Sequence, residues 1–298
     1  MVNVPFSKQS PGDKVFIALT YVLVTIIVCV VIYPLLFVVS ASFSDPDLVL
    51  SGKVVLFPKG FTLKPYTMVF ENEEIWRGYL NTVIYTVLGT FINVVFTVLL
   101  AYPLSRQDMP LRRPITLLIV FTMYFEGGMI PNYLLVRQLG MYNTIWAMVI
   151  PTAISTYNFI VAKSFFETSI PKELYESAEI DGSSDIRTLM QIVIPLSPAI
   201  LAVLALYYAV DTWNAYFNAL IYLQNEKLFP LQIILRNILL LGQTEQMGSN
   251  DVGMGEKIKM AEAIKYSAIV ISSLPILCVY PFVQKYFVKG VMIGAVKG

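Results

Sequence analysis

The stretch Glu173-Leu-Tyr-Glu-Ser-Ala-Glu-Ile-Asp-Gly-Ser-Ser-Asp-Ile-Arg-Thr-Leu-Met-Gln-Ile-Val-Ile-Pro195 is a polar, helix-forming island in a chain that is otherwise mostly apolar. Long apolar segments flank it on both sides, so it must leave the hydrocarbon of a bilayer. Pro171 suits the first turn of a helix, where its missing N–H costs nothing. Glu173 and Glu176 favour the dipole at that end. Leu174, Ser177, Ala178 and Asp181 recur at helical spacing and make one face small, which lets another surface approach closely. Gly182 fits the residue just past a helix C-terminus. Ser183, Ser184 and Asp185 then offer a fresh N-cap for a second helix over Ile186–Ile194. Pro195 and Pro198 mark its passage into the next apolar segment. The island reads as helix, sharp corner, helix: a knob that projects from the membrane and docks a partner.

Composition sets the surroundings of this knob. Hydrophobic residues make up 56% of the 298 positions and charged residues only 14%, against about 25% charged in ordinary soluble domains. A net charge of +1 leaves no nucleic-acid footprint. The chain has no histidine, which excludes Ser-His-Asp and Cys-His nucleophilic systems, His-Glu-x-x-His zinc sites and haem held by an axial histidine. Cys29 and Cys278 both lie in apolar runs and read as small hydrophobes. The only Gly-Lys pair, Gly52-Lys53, lacks the rest of a phosphate-binding loop. No residue pattern marks a catalytic centre or a metal site.

A bilayer-crossing helix needs about 20 mostly apolar residues. The sequence predicts six, near Val15–Ser42, Tyr79–Leu104, Ile115–Val136, Thr144–Phe166, Leu196–Leu223 and Ala263–Val288, in one all-helical membrane domain over residues 1–298. The first follows Lys8 and Lys14, but its apolar core is too long for a signal peptide and no small-x-small cleavage site closes it. Pro34, Pro131, Pro151, Pro275 and Pro281 kink their helices. Short loops set orientation. Arg106, Arg112 and Arg113 in the loop 105–114, with Lys285, Lys289 and Lys297 near the C-terminus, place these segments, both termini and the knob (167–195) in the cytoplasm. The outer segment 43–78 carries Phe57, Phe61, Tyr66, Phe70 and Trp76 as interfacial anchors. The second outer loop, 224–262, holds Gly242, Gly248, Gly253 and Gly255. No internal repeat or low-complexity tract is visible.

Glu176-Ser-Ala178, three residues, Gly182, nine residues and Ile192-Val-Ile-Pro195 together resemble the EAA loop of ABC importer permeases, whose pattern is Glu-Ala-Ala, three residues, Gly, nine residues, Ile-x-Leu-Pro. Ser177 and Ile194 depart from it while keeping size and character. The extended form Ile170-Pro-Lys-Glu-Leu-Tyr-Glu-Ser-Ala-Glu-Ile-Asp-Gly182 looks like the carbohydrate-uptake branch that contains the maltose permease subunits. Leu139-Gly-Met-Tyr-Asn-Thr144, Trp213-Asn214 and Phe229-Pro-Leu231 agree, so the resemblance covers roughly residues 75–298. It implies a type I importer fold in a bacterial plasma membrane. It also implies a second homologous permease, two ABC ATPase subunits below and an extracellular solute-binding protein above. ATP and Mg would sit on the ATPase subunits, and this chain would be no enzyme and hold no cofactor. The coupling residues it implies are Glu173, Glu176, Ser177, Ala178, Asp181, Gly182 and Arg187. The tail 289–298 would reach toward the ATPase dimer interface.

Polar residues inside spans tend to face a cavity. The candidates for a substrate path are Tyr124, Glu126, Asn158, Tyr208, Asp211, Trp213, Asn214 and Asn218, with Asn93, Tyr157 and Tyr216 beside them. Sugars favour aromatic platforms with amide and carboxylate partners. The plainer reading is that these amides bridge helices and the aromatics pack. An alternative function is a stand-alone secondary transporter or channel, for which Asp211 and Lys163 would be the intramembrane charges to watch, although such carriers usually show inverted repeats.

Overall fold

The computed structural model describes residues 10–244 and 264–281, all of whose regular elements are helical. The tail 289–298, the lysines at 285, 289 and 297, and the glycines at 248, 253 and 255 lie outside the described residues. The chain falls into two compact units, Met1–Asn72 with Asn237–Ile271, and Glu73–Arg236 with Ser272–Gly298.

In the first unit, α1 (Pro11–Ser42) starts at Ser10, whose hydroxyl accepts the Asp13 N–H at 3.2 Å, with Pro11 in the first turn. Its valines, leucines and isoleucines stay exposed along almost the whole helix. Its last turn is polar and buried. Ser40 donates to the Leu56 carbonyl at 2.5 Å, Ser42 bonds the Tyr66 hydroxyl at 2.8 Å, and Ser44 accepts the Lys59 N–H at 3.0 Å. These bonds fold the segment after α1 back on its end, around α2 (Pro46–Leu50) and α3 (Lys64–Glu71), with Phe43 stacked on Phe61 and tilted against Tyr66.

The second unit is built on α4 (Glu73–Ser105). Gly78, Thr82, Gly89, Asn93, Thr97 and Ala101 recur on one face and are all buried. Small residues let helices approach closely. A Cβ at Gly78 would overlap Ile234 and lie 3.2 Å from the Leu231 backbone. After α4 come α5 (Arg112–Tyr124), α6 (Met129–Gln138), α7 (Trp146–Val149), α8 (Thr156–Ser169) and α9 (Lys172–Ile180). Then follow α10 (Asp185–Leu196), α11 (Pro198–Trp213), α12 (Phe217–Tyr222), α13 (Leu231–Thr244) and α14 (Ile264–Pro281). The unit boundaries cut α13 and α14. Val98, Tyr102, Phe159, Phe166, Leu189 and Leu204, from α4, α8, α10 and α11, share one core. Tyr208 of α11 ties three elements: its hydroxyl bonds Thr97 at 2.6 Å and accepts the Ser155 N–H at 3.0 Å.

Several segments expected as single spans are interrupted. Residues 115–136 form two helices, α5 and α6, that meet at 113° across Phe125-Glu-Gly-Gly128, where Gly128 has φ of +86°. Residues 144–166 break between α7 and α8 around Pro151. Residues 196–223 break at 214–216. α10 carries a π turn over Leu189–Val193, and α10 and α11 meet at 86° at Ser197-Pro198. Among the described residues three helices, α1, α4 and α14, are long and apolar enough to cross a membrane alone, or up to five spans if each bent pair counts as one.

Candidate functional site

The knob forms from local signals. α9 ends at Gly182, with φ of +70°, where the Gly182 N–H donates to the Glu179 carbonyl at 3.0 Å and the Ser183 N–H to Ala178 at 2.9 Å. This double bond pattern is a Schellman corner. A Cβ on Gly182 would meet nothing within 4 Å, so the demand for glycine is conformational. α10 then starts at Ser184, whose hydroxyl accepts the Arg187 N–H at 3.4 Å.

The faces of α9 differ from the sequence expectation. Leu174 and Tyr175 pack on the core of the second unit, and Ala178 is buried at 5% exposure. Ala178 therefore faces inward and is no part of a small docking face. The apolar set Leu174, Tyr175 and Ala178 decides the orientation by burying its own stripe. Glu173, Glu176, Ser177 and Asp181 are exposed. Arg187 is exposed, but its Nε is bonded along its own helix to Gln191 at 3.0 Å. Ile180 and Ile186, on either side of the corner, are 86% and 76% exposed. Sequence reasoning passed over both; two isoleucines on the solvent side of a polar helix pair were the available signal.

Between α9 and the loop after α4 lies a cleft of about 470 Å³, lined by Arg106, Asp108, Arg112, Glu167, Lys172 and Glu176 among others. At one wall Glu167 accepts from both Arg112 and Lys163, the latter at 2.7 Å. Lys163 is thus a paired charge in the middle of α8. Burial pushes the Tyr175 phenol up to about 12. Hydrogen bonds from Arg106 hold the Asp108 carboxyl below the usual carboxylate range.

The substrate-path candidates separate into two groups. Asn158, Tyr208 and Trp213 are buried, and so is Asn93. The Trp213 indole N–H donates to the Ser272 carbonyl at 3.1 Å and the ring meets Tyr79 edge-on, which is a packing role in this conformation. Tyr208 is the three-way bridge already described. Tyr124, Glu126, Asp211 and Asn214 are exposed and Asn218 is half-buried. Asn214 is partly engaged, bonding the Val210 carbonyl at 2.9 Å and accepting from Gln232 at 3.4 Å. Glu126 sits in the break between α5 and α6. Trp213 and Asn214, adjacent in sequence, thus differ in access because α11 ends between them.

No family model matches the chain. It is similar to the polygalacturonan/rhamnogalacturonan transport system permease protein YtcP of Bacillus subtilis (strain 168), 39% identical over 286 residues that cover 96% of this chain and 99% of that one. Protein LplC of the same organism is 40% identical over 269 residues, covering 90% of each. The melibiose/raffinose/stachyose import permease protein MelC, also from Bacillus subtilis (strain 168), is 28% identical, covering 82% and 84%. A solved bacterial ABC transporter involved in import of the acidic polysaccharide alginate superposes on 95% of this chain with a TM-score of 0.86 and 33% identity, over all of its matched chain. With a polar helical knob beside membrane-embedded apolar helices and relatives of this identity over nearly their full length, the chain belongs to the family of permease subunits of carbohydrate ABC importers.

Proposed function

We propose that this permease pairs with a second, homologous permease above two ABC ATPase subunits, and passes inward an oligosaccharide delivered by an extracellular solute-binding protein. In this reading the chain crosses six times, which keeps both termini on one side, and Arg106, Arg112 and Arg113 assign that side and the knob to the cytoplasm. ATP and Mg belong to the ATPase subunits; this chain converts their closure into movement of its spans. Family membership removes the stand-alone carrier or channel.

The observation that carries the coupling role is the exposure of Ile180 and Ile186 beside the Gly182 corner. On a knob outside the bilayer such side chains favour a protein partner. Each contributes about 1.5–3 kcal/mol when fully covered. Glu173, Glu176, Ser177 and Asp181 would supply the polar rim of that contact. Replacing both isoleucines by glutamate is expected to release the ATPase subunits on purification while the permease still inserts in the membrane. Full retention of the ATPase subunits by the double variant refutes the docking role.

For the substrate we favour an oligosaccharide that contains uronic acid residues. Support comes from two similar proteins, one named for polygalacturonan and rhamnogalacturonan transport and one involved in alginate import. Tyr124, Asp211, Asn214 and Asn218 are the accessible candidates for contact. Uptake of an oligogalacturonate and of a neutral oligosaccharide of equal length by the assembled transporter decides it; preference for the neutral sugar overturns the uronate.

A further inference from the structure

Arg106 lies one residue past the end of α4, with its side chain only 16% exposed. Its Nε and Nη2 donate to the two carboxylate oxygens of Asp108 at 2.9 and 2.7 Å, a fork-to-fork pair. Its Nη1 donates to Asp185 Oδ1 at 3.0 Å, on the first turn of α10. The same group lies 3.5 Å from the Tyr102 hydroxyl on α4. Its guanidinium carbon stands 5.4 Å from the centre of the Tyr175 ring on α9. One planar cation therefore touches α4, the loop that follows it and both helices of the knob. Among the described residues, Arg106–Asp185 is the one ion pair that reaches α9 or α10 from outside them.

The chain's own routes into the knob are compliant by comparison. α8 reaches α9 through the extended pair Ile170-Pro171. α10 reaches α11 through a π turn and an 86° bend. Neither is a straight, continuously bonded helix that would carry a push along its axis. α4 is one unbroken helix of 33 residues, in which Pro103 removes a single backbone hydrogen bond in the last turn, and its inner face forms the core with α8 and α11. Lys172 adds a second tie beside Arg106, its ammonium donating to Gln107 Oε1 at 2.7 Å.

We propose that Arg106 is the positioning residue that makes the knob and α4 move as one body, so that displacement of the knob by the ATPase subunits enters the spans through α4. This rests on the coupling role of the knob proposed above. A lysine cannot replace the guanidinium, because a single ammonium cannot hold Asp108 with two parallel bonds and reach Asp185 at the same time.

The test uses the whole transporter, permeases with ATPase subunits and binding protein, in proteoliposomes. Arg106→Ala is expected to keep the ATPase subunits and basal hydrolysis, and to lower substrate-stimulated hydrolysis and uptake about tenfold, within the usual range of coupling between sites. Arg106→Lys is expected to fall between. Asp185→Asn, at a side chain 77% exposed, tests the same bond where Arg106→Ala fails to fold. Combined with Arg106→Ala it is expected to add no further loss, since both remove one interaction. Normal stimulation and uptake in Arg106→Ala, loss of the ATPase subunits along with activity, or additive losses in the double variant each overturn the proposal. Gly182→Asp in the same preparation separates it from the reading beneath it. If Gly182→Asp uncouples and Arg106→Ala does not, the Arg106 tie alone is wrong. If neither uncouples, the knob is not the coupling element.

Discussion

α1 and α4 are almost the same length, 32 and 33 residues, and both are apolar enough to cross a membrane. None of the most apolar window of α1 is buried, whereas 28% of that of α4 is. The difference does not lie in hydropathy, which is higher in α1. It lies in the stripe Gly78, Thr82, Gly89, Asn93, Thr97 and Ala101, for which α1 has no counterpart until the serines of its last turn. Apolar content states that a helix lives in lipid. A periodic run of small and polar side chains states that it has a protein neighbour, because lipid offers neither hydrogen bonds nor a reason for backbones to approach.

Substitutions on the two helices sharpen this contrast. The largest effect is expected at Gly78, where a side chain would overlap Ile234 and press on the Leu231 backbone. Gly78→Val should cost about 3 kcal/mol, the upper part of the range for overpacking, read as a fall in the midpoint of thermal unfolding in detergent. Ile27→Ala, on the bare flank of α1, should leave that midpoint unchanged. Equal effects at the two sites would erase the distinction between the helices.

Tyr208→Phe should come next. It leaves the Ser155 N–H without its acceptor and the Thr97 hydroxyl without its partner. The expected loss is about 2 kcal/mol, in the range for unsatisfied buried groups. A midpoint unmoved by this change would show that the bridge between α4, α8 and α11 is not holding them.

The smallest effect is expected at Asn93, 2% exposed on the same stripe, with an Oδ1 that has no hydrogen-bond partner. Asn93→Leu keeps the size and removes an unsatisfied group, so stability should change by no more than about 0.5 kcal/mol in either direction. A loss above about 1 kcal/mol would mean that the amide is bonded after all. Unchanged stability with reduced uptake would instead place Asn93 on the route of the sugar.

How much of this was legible in the sequence depends on distance along the chain. The corner of the knob was, because Pro171, Gly182 and Ser184 act within one or two turns of themselves. The direction of Ala178 was not, because smallness suggested an outward docking face while its neighbours Leu174 and Tyr175 drew it inward. The break at Phe125–Gly128 was written in the Glu-Gly-Gly run, yet the apolar residues on both sides outvoted it. The tie between Arg106 and Asp185 spans 79 positions and leaves no local trace. Trp213 was read as part of the sugar path; its indole N–H holds the Ser272 carbonyl, 59 positions away, a contact with no local trace.

The π turn at Leu189–Val193 has a consequence for changes of length. A π turn amounts to an α-helix with one residue inserted. Removing a single residue there would let the segment close as regular α-helix, with the flanks near their present phase. The same deletion in a regular α-helical stretch turns everything beyond it by about 100°, the angular step of one residue. The segment is thus a slack turn: it absorbs the loss of one residue without swinging Asp185 and Ile186 far around the axis relative to Leu196 and the bend that follows.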